Sequence, residues 1–116
     1  MLSNSGINKV LLLGQVTGHP FINKTDKTES YLCFTLVTNE LLKKGVDNVA
    51  HNEIHKIKMP EKLLQQEGFN VEEGQTLFIE GKIHTTTIID AERIKRYNLE
   101  IIVSKVELIS IVPVAV

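Results

Sequence analysis

The chain has 116 residues, a net charge of -1 at pH 7 and a hydrophobic content of 42%. This size predicts one domain, over residues 1–116, that buries a core of its own. The composition excludes a membrane-spanning helix, because every apolar run is far shorter than the roughly 20 residues such a helix needs. It also excludes a protein that coats nucleic acid by bulk attraction, since that requires clustered Lys and Arg.

The N-terminal residues Met1–Ser5 lack the basic and apolar regions of a signal peptide. We therefore expect a cytoplasmic protein without membrane contact. The charges are unevenly divided: residues 1–58 carry seven basic and five acidic side chains, whereas residues 59–116 carry six basic and nine acidic ones. The excess of positive charge thus lies in the first half.

The first predicted strand runs from about Ile7 to Val16 and is apolar on both faces. A small barrel covers only the inward face of such a strand. Leu11 and Leu13 on the other face therefore indicate a second subunit or a covering segment. Gly14 within the strand favours a bend or a bulge.

The following segments alternate between turn residues and strand residues. Thr17–Glu29 is rich in Gly, Pro, Asn and Asp and predicts a turn-rich connection. Tyr31–Asn39 predicts the second strand and Leu41–Asn52 a hairpin loop. Phe34 in this strand and Phe78 further along the chain lie beside Leu36 and Ile79, and both are expected in the core. Glu53–Met59 alternates apolar and polar side chains, which is typical of a half-exposed third strand.

The second half predicts one helix and two long strands. Pro60–Gly68 has a helix-compatible first proline and a C-terminal glycine, which predicts a short helix. Thr76–Thr87 and Tyr97–Ile109 predict the last two strands, joined by a hairpin around Asp90–Glu92. The apolar parity changes within the last strand, which indicates a bulge near Ser104. The expected fold is all-β, with one short helix between the third and fourth strands.

The sequence offers no recognisable catalytic or metal-binding pattern. Cys33 is the single cysteine and lies in an apolar run, which is typical of packing. His51 and His55 are four residues apart, but in an extended segment this spacing separates them too far to share a metal ion. We expect no enzyme activity, no cofactor and no metal.

Four short blocks appear in a characteristic order, namely Ile7–Gly14, Phe34–Glu40, Glu53–Lys56 and Phe78–Ile83. Together they resemble the DNA-binding core of the bacterial and mitochondrial single-stranded DNA-binding proteins, from about Gly6 to Leu108. The resemblance implies an OB-fold, a five-stranded barrel that holds single strands by base stacking and phosphate contacts. It also implies a homo-oligomer, a dimer or tetramer, that acts in DNA replication, recombination or repair and contacts other replication proteins.

The resemblance places the family's stacking aromatics at positions that are aliphatic in this chain: Leu42, Ile54, Pro60 and Ile88. Stacking contributes about 1 to 3 kcal/mol per base, so binding should be weak and salt-sensitive. Leu42, Ile54 and Ile88 are equally compatible with an apolar contact to a base and with a surface that docks a protein.

Basic side chains are then the candidates for contact with the phosphates. Lys56, Lys58 and Lys82 lie on predicted strands and are expected to be neighbours. The expected nucleic-acid-binding residues are Lys43, Lys44, Ile54, Lys56, Lys58, Lys82, Ile88, Arg93, Lys95, Arg96 and Tyr97. The expected oligomer interface contains Leu11, Leu13 and His55. The resemblance implies the role of His55, because the family has a histidine at this position of the third strand.

Two alternative functions stay open. One is a helicase-loading accessory similar to primosomal replication protein n, a dimeric relative of similar length. The other is an OB-fold module that has lost strand binding and docks a protein. Family members typically continue into a flexible tail with an acidic tip, and the chain as given ends at Ile109–Val116, so we expect no such tail.

Overall fold

A computed structural model describes residues 5–24 and 29–109 of the chain. Its elements, in chain order, are β1 (Val10–Asn23), β2 (Tyr31–Lys44), β3 (Asp47–Pro60), α1 (Glu61–Glu67), β4 (Thr76–Ile89) and β5 (Lys95–Ile109). The strands form a closed barrel in the order β1-β2-β3-β5-β4, in which only β3 and β5 are parallel. The predicted fold class, a five-stranded OB-type barrel with one helix between β3 and β4, is confirmed.

Two predicted boundaries are wrong. The segment predicted as a hairpin loop, Leu41–Asn52, is instead paired strand up to a two-residue turn, Gly45–Val46. Gly45 has a φ of 65°, which a two-residue hairpin turn requires at its first central position. The hairpin is stable as strand although every residue from 39 to 50 is exposed.

The first strand also continues further than expected. It extends through Gly18 to Asn23, across an irregularity between Thr17 and Phe21 where the register with β2 shifts. Gly18 lies there with a φ of 77°. The predicted turn-rich connection is therefore largely strand, and its residues 25–28 lie outside the described residues, as do residues 1–4 and 110–116.

The core is built from alternate residues of all five strands. Leu36, Met59, Leu77 and Ile79 are completely buried. The remaining buried core members are Val16, Leu32, Phe34, Ile57, Val71, Ile101, Val103 and Val106. Phe34 is a core residue as predicted, but Phe78, which was also expected in the core, lies on the outer face and is 36% exposed.

Helix α1 closes one end of the barrel. Pro60 is the last residue of β3 and the N-cap, so the helix proper begins at Glu61. Gly68 ends it in the left-handed conformation, and its N–H donates to the carbonyl of Leu64. Leu63 and Leu64 of the helix and Phe69 after it pack against the core.

The β4–β5 pair contains the predicted bulge. Glu80 is the partner of Lys105 and Gly81 that of Val103, so Ser104 is the extra residue on β5. The hydroxyl of Ser104 donates to the carbonyl of Glu80. Gly81 also lies so close to β5 that a Cβ there would overlap the carbonyl oxygen of Ile102.

Gly14 has the same role on β1 and is a close-contact residue, whereas the sequence indicated a bend or bulge. A Cβ at Gly14 would overlap the carbonyl oxygen of Val37. Within residues 5–24 and 29–109, no helix has the length and hydrophobicity to cross a membrane.

Candidate nucleic-acid interface

Three of the predicted phosphate-binding lysines project from the outer face of the barrel. Lys58 of β3 and Lys82 of β4 are both register partners of Ile102 of β5. Residues paired across neighbouring strands share one face of the sheet, so the two lysines flank Ile102 in a row. The prediction that Lys58 and Lys82 are neighbours is consistent with this register.

Lys56 lies on the same outer face, two residues earlier on β3. Its ammonium group donates a hydrogen bond of 3.2 Å to Oδ1 of Asn98 on β5. It lines a cleft of about 340 Å³ on this face. Asn98 is neutral, so this hydrogen bond positions Lys56 at the cleft without neutralising its positive charge.

Lys58 is oriented by an aromatic ring. Its Nζ lies 4.6 Å from the centroid of Tyr31, whose hydroxyl donates to Glu29 at 2.6 Å. The hydrogen bond to Glu29, with smaller contributions from burial and from the charge of Glu29, raises the pKa of Tyr31. Tyr31 stays neutral at physiological pH and supports the Lys58 side chain at the end of β3.

The four aliphatic positions that correspond to stacking aromatics are spread over the barrel and both long hairpins. Ile54 and Ile88 are 67% and 54% exposed, and Leu42 is less exposed. Pro60 is half-buried where β3 meets helix α1. The register places Leu42 and Ile54 on opposite faces of the β2–β3 hairpin, so they do not form one patch.

The tip of the β4–β5 hairpin carries three of the predicted cations, Arg93, Lys95 and Arg96. Asp90 accepts hydrogen bonds from the backbone N–H of Ile94 and Glu92, each at 2.9 Å, and from Nε of Arg96 at 3.2 Å. These contacts, the Ile94 bond first, hold the pKa of Asp90 below its usual value. Arg96 therefore helps to fix the turn, in addition to being exposed.

Three further predicted residues surround this turn. Arg93 has a φ of 62° and is exposed at the tip. Lys95 lies with its Nζ 5.4 Å from the ring centroid of Tyr97, which is 68% exposed. Lys43 and Lys44 are exposed beside the Gly45–Val46 turn of the other hairpin. The structure thus places the predicted residues in three groups: the barrel face and the two hairpin tips.

The predicted interface residues Leu11 and Leu13 lie together on the outside of the barrel. Each is 58% exposed, and Leu13 is the register partner of Phe78 on β4. Glu80 lies beside Leu11 and binds Lys9 at 2.6 Å and Lys105 at 3.8 Å. The Lys9 contact is the main cause that lowers the pKa of Glu80. An apolar strip with a charged border results.

The third predicted interface residue, His55, lies elsewhere. It is the register partner of the fully buried Leu36, and its Nε2 is hydrogen-bonded to Oγ1 of Thr38 at 2.9 Å. Its side chain therefore shares the inward-facing side of the β2–β3 pair. Within one chain, the structure does not bring His55 onto the strip of Leu11 and Leu13.

The expected site residues do not include three residues that line the cleft beside Lys56. Phe21 of β1 is 60% exposed, and Asn98 and Glu100 of β5 lie on the side opposite to it. Phe21 is the register partner of Cys33, which places it on the outer face. The signal in the sequence was an aromatic residue following Pro20 in a polar segment, which favours a surface position. In residues 5–24 and 29–109, no group of three or more His, Cys, Asp or Glu side chains converges as metal ligands would.

Comparison with known proteins places this geometry in a family. The family model described as the single-strand binding protein family matches residues 7–109. A single-stranded DNA-binding protein of Bacteroides thetaiotaomicron is 31% identical over 90% of this chain and 66% of that protein. Single-stranded DNA-binding protein 1 of Chlorobaculum tepidum is 29% identical over 90% of this chain and 65% of that protein. The chain therefore spans just under two thirds of the length of these curated relatives.

Among solved structures, a Plasmodium falciparum SSB in complex with ssDNA superimposes with a TM-score of 0.81 at 19% identity. The match covers 94% of this chain and 100% of that chain. It supports the OB-type barrel as the fold. The match of the family model over nearly the whole chain shows that the chain belongs to the single-strand binding protein family.

Proposed function

We propose that this chain, as a single OB-fold domain over residues 1–116, binds single-stranded DNA without catalysing a reaction. The observation that carries the proposal is the arrangement of Lys56, Lys58 and Lys82 on one outer face of the barrel, beside a cleft. Lysines on neighbouring strands can neutralise successive phosphates of an extended strand. Membership of the single-strand binding protein family supports the same function.

The proposed binding residues are those expected from the sequence: Lys43, Lys44, Ile54, Lys56, Lys58, Lys82, Ile88, Arg93, Lys95, Arg96 and Tyr97. They occupy the barrel face and both hairpin tips, so a strand could pass from one hairpin over the barrel to the other. We further propose that the protein forms a dimer or tetramer through Leu11 and Leu13. His55, the third expected interface residue, lies apart from this strip on the inward-facing side of the β2–β3 pair. The cytoplasmic location and a role in replication, recombination or repair, with replication proteins as partners, remain predictions. The helicase-loading accessory similar to primosomal replication protein n remains an alternative with the same binding chemistry.

A protein-docking module is a second candidate, because Ile54 and Ile88 expose aliphatic surface where the family stacks bases. Exposed apolar surface is typical of sites that bind another protein. The two candidates differ in a measurable property. A strand binder loses affinity steeply as salt is added, whereas a docking module has no affinity for the strand at any salt concentration.

The test is a titration of labelled oligo-dT at low and at moderate salt, with Lys56→Gln and Lys105→Gln as matched variants. Both lysines lie on strands of the barrel and are exposed, but Lys105 lies beside Glu80, at the Leu11–Leu13 strip. We expect Lys56→Gln to weaken binding and to lower the logarithmic salt slope by about 0.7, the value for one phosphate on a single strand.

The Lys105→Gln control should leave both quantities unchanged, although it alters the net charge by the same amount. Absence of binding by the unchanged protein at low salt would overturn the strand-binding proposal and leave the docking module. Equal losses in the two variants would assign the effect to net charge rather than to the barrel face.

A further inference from the structure

The cleft on the barrel face has walls of two different chemical kinds. On one side, Phe21 exposes 60% of its side chain. On the other, Asn98 and Glu100 project from β5. Between them, Cys33 and Thr35 of β2 form the floor together with Lys56. An exposed phenyl ring at the edge of a cleft can stack on a planar group that enters it.

The volume of the cleft limits what it can hold. At about 340 Å³ it lies at the lower end of the range of roughly 300 to 1,000 Å³ that is typical of small-molecule sites. It suits one planar ring system with part of its sugar and is too small for two stacked nucleotides. The cleft therefore has room for a single base, with the neighbouring phosphates outside it, on the side of Lys58.

Glu100 determines the chemistry of the far wall. An ionised carboxylate accepts hydrogen bonds and donates none, and it repels phosphate. The charge of Glu100 also acts on Cys33 of β2. Burial is the main cause that raises the pKa of the Cys33 thiol; the charge of Lys58 lowers this pKa, and the charge of Glu100 raises it further. Asn98 uses Oδ1 to accept from Lys56, so its amide N–H groups form the donor end. The wall thus presents one strong acceptor beside a weaker donor.

We propose that this cleft binds one nucleobase that carries an exocyclic amino group, stacked on Phe21, with the amino group donating to Glu100. Cytosine offers that donor, whereas uracil and thymine place a carbonyl oxygen at the same position. A carbonyl oxygen facing a carboxylate leaves both acceptors without a donor, which is unfavourable in a partly enclosed site. The proposal deepens the strand-binding function above and depends on it.

The experiment compares labelled oligodeoxycytidine and oligodeoxyuridine of equal length at one low salt concentration, by fluorescence anisotropy. The two bases have nearly the same size and both lack the thymine methyl group. Cytosine carries the C4 amino group, whereas uracil carries a C4 carbonyl oxygen and a hydrogen on N3. We expect the cytidine strand to bind several-fold more tightly, because a hydrogen bond to a charged group stabilises more than a neutral one.

Two sets of variants test the two walls separately. Glu100→Gln should bring the ratio of the two affinities close to one, because an amide can either accept or donate. Glu107→Gln is the matched control: it lies on the same strand beside Phe78, removes the same charge and should leave the ratio unchanged. Phe21→Ala should lower the affinity for both oligonucleotides, whereas Phe21→Tyr should retain it. Ile22→Ala is the control, because Ile22 is the neighbouring residue on the inward-facing side of β1.

The possible outcomes separate this inference from the proposed function. If both strands bind but with equal affinity, or if Glu100→Gln leaves the cytidine preference intact, the base pocket is wrong and strand binding stands. If Phe21→Ala binds both strands as well as the unchanged protein does, stacking on Phe21 is wrong. If neither strand binds at low salt, the proposed function and the base pocket both fall.

Discussion

Lys58 and Lys82 flank the same residue, Ile102, although they lie on strands that do not pair with each other. The parallel contact between β3 and β5 makes this possible, because it places the C-terminal end of β3 beside the middle of β5. Two positive charges from separate parts of the sequence thus lie in one row.

Adding an aromatic ring to the exposed face should strengthen strand binding. Ile54 and Ile88 are largely exposed, so Ile54→Trp or Ile88→Trp should leave the core intact. A ring that stacks on a base should improve the binding free energy by roughly 1 kcal/mol or more. Oligo-dT titrations measure the gain, and Ile7→Trp, also exposed but before β1, is the control that should bring none. No gain from either replacement would indicate that these positions do not meet bases.

The outer strip of the barrel should hold subunits together. Leu11→Lys would place a charge in the strip formed with Leu13 and Phe78, and burying an unpaired charge in an interface is strongly unfavourable. We expect the assembly to dissociate while the circular dichroism spectrum of the barrel is retained. Sedimentation velocity at micromolar concentration is the measurement, and Leu41→Lys on the β2–β3 hairpin is the control. An unchanged protein that already sediments as a monomer would contradict this prediction.

Gly81 should be required for stability. A Cβ at this position would overlap the backbone of β5, and a neighbouring backbone cannot move as a side chain can. Gly81→Ala should therefore lower the free energy of unfolding by about 1 to 3 kcal/mol or more, as overpacked sites do. Urea denaturation measures the loss. Gly6→Ala has no atom within 4 Å of the added Cβ and should change little.

The turn of the β4–β5 hairpin should loosen in acid. The folded structure lowers the pKa of Asp90 below its value in the unfolded chain, which is near 3.8. The ionised carboxylate therefore stabilises the turn above pH 3.8, and this stabilisation is lost as the pH falls through the lower pKa of the folded state. NMR titration should show the amide signals of Ile94 and Glu92 moving with the Asp90 carboxyl. Asp90→Asn should remove that titration, while Glu92→Gln should not. Amide signals that move at the ordinary pKa of an aspartate would contradict the depressed value.

The sequence of strands and helix along the chain and the bulge at Ser104 could be predicted. Apolar alternation marks the strands, its change of parity marks the bulge, and Pro60 and Gly68 mark the ends of the helix. The length of the strands in the β2–β3 hairpin could not be predicted, since all residues from 39 to 50 are exposed and no buried face imposes a pattern. The expectation that Phe78 lies in the core was wrong for a reason that the sequence contains. It lies next to Ile79 in the sequence, so in a strand it must point to the opposite face. Phe34 and Leu36, two residues apart, correctly share the core.

The candidate site was predictable only in part. Lysines on the third and fourth strands could be identified as neighbours once a barrel was assumed. The cleft depends on the register shift between Thr17 and Phe21, which places Phe21 opposite Cys33. A register shift leaves no periodic signal in a segment rich in Gly and Pro. Glu100 was not considered because its position beside Lys56 follows from the parallel contact of β3 and β5, which the local sequence does not encode.

That parallel contact has a consequence for the dynamics of the barrel. Its register comprises two residue pairs, Ile57 with Ile101 and Lys58 with Ile102, whereas each antiparallel junction comprises at least six. Local opening should therefore begin at this junction and leave the two hairpins intact, and the amides along it should exchange with deuterium before those of the neighbouring strands. Single-stranded DNA bound to both Lys58 and Lys82 would span the junction. It would stabilise the closed state and slow the exchange of these amides.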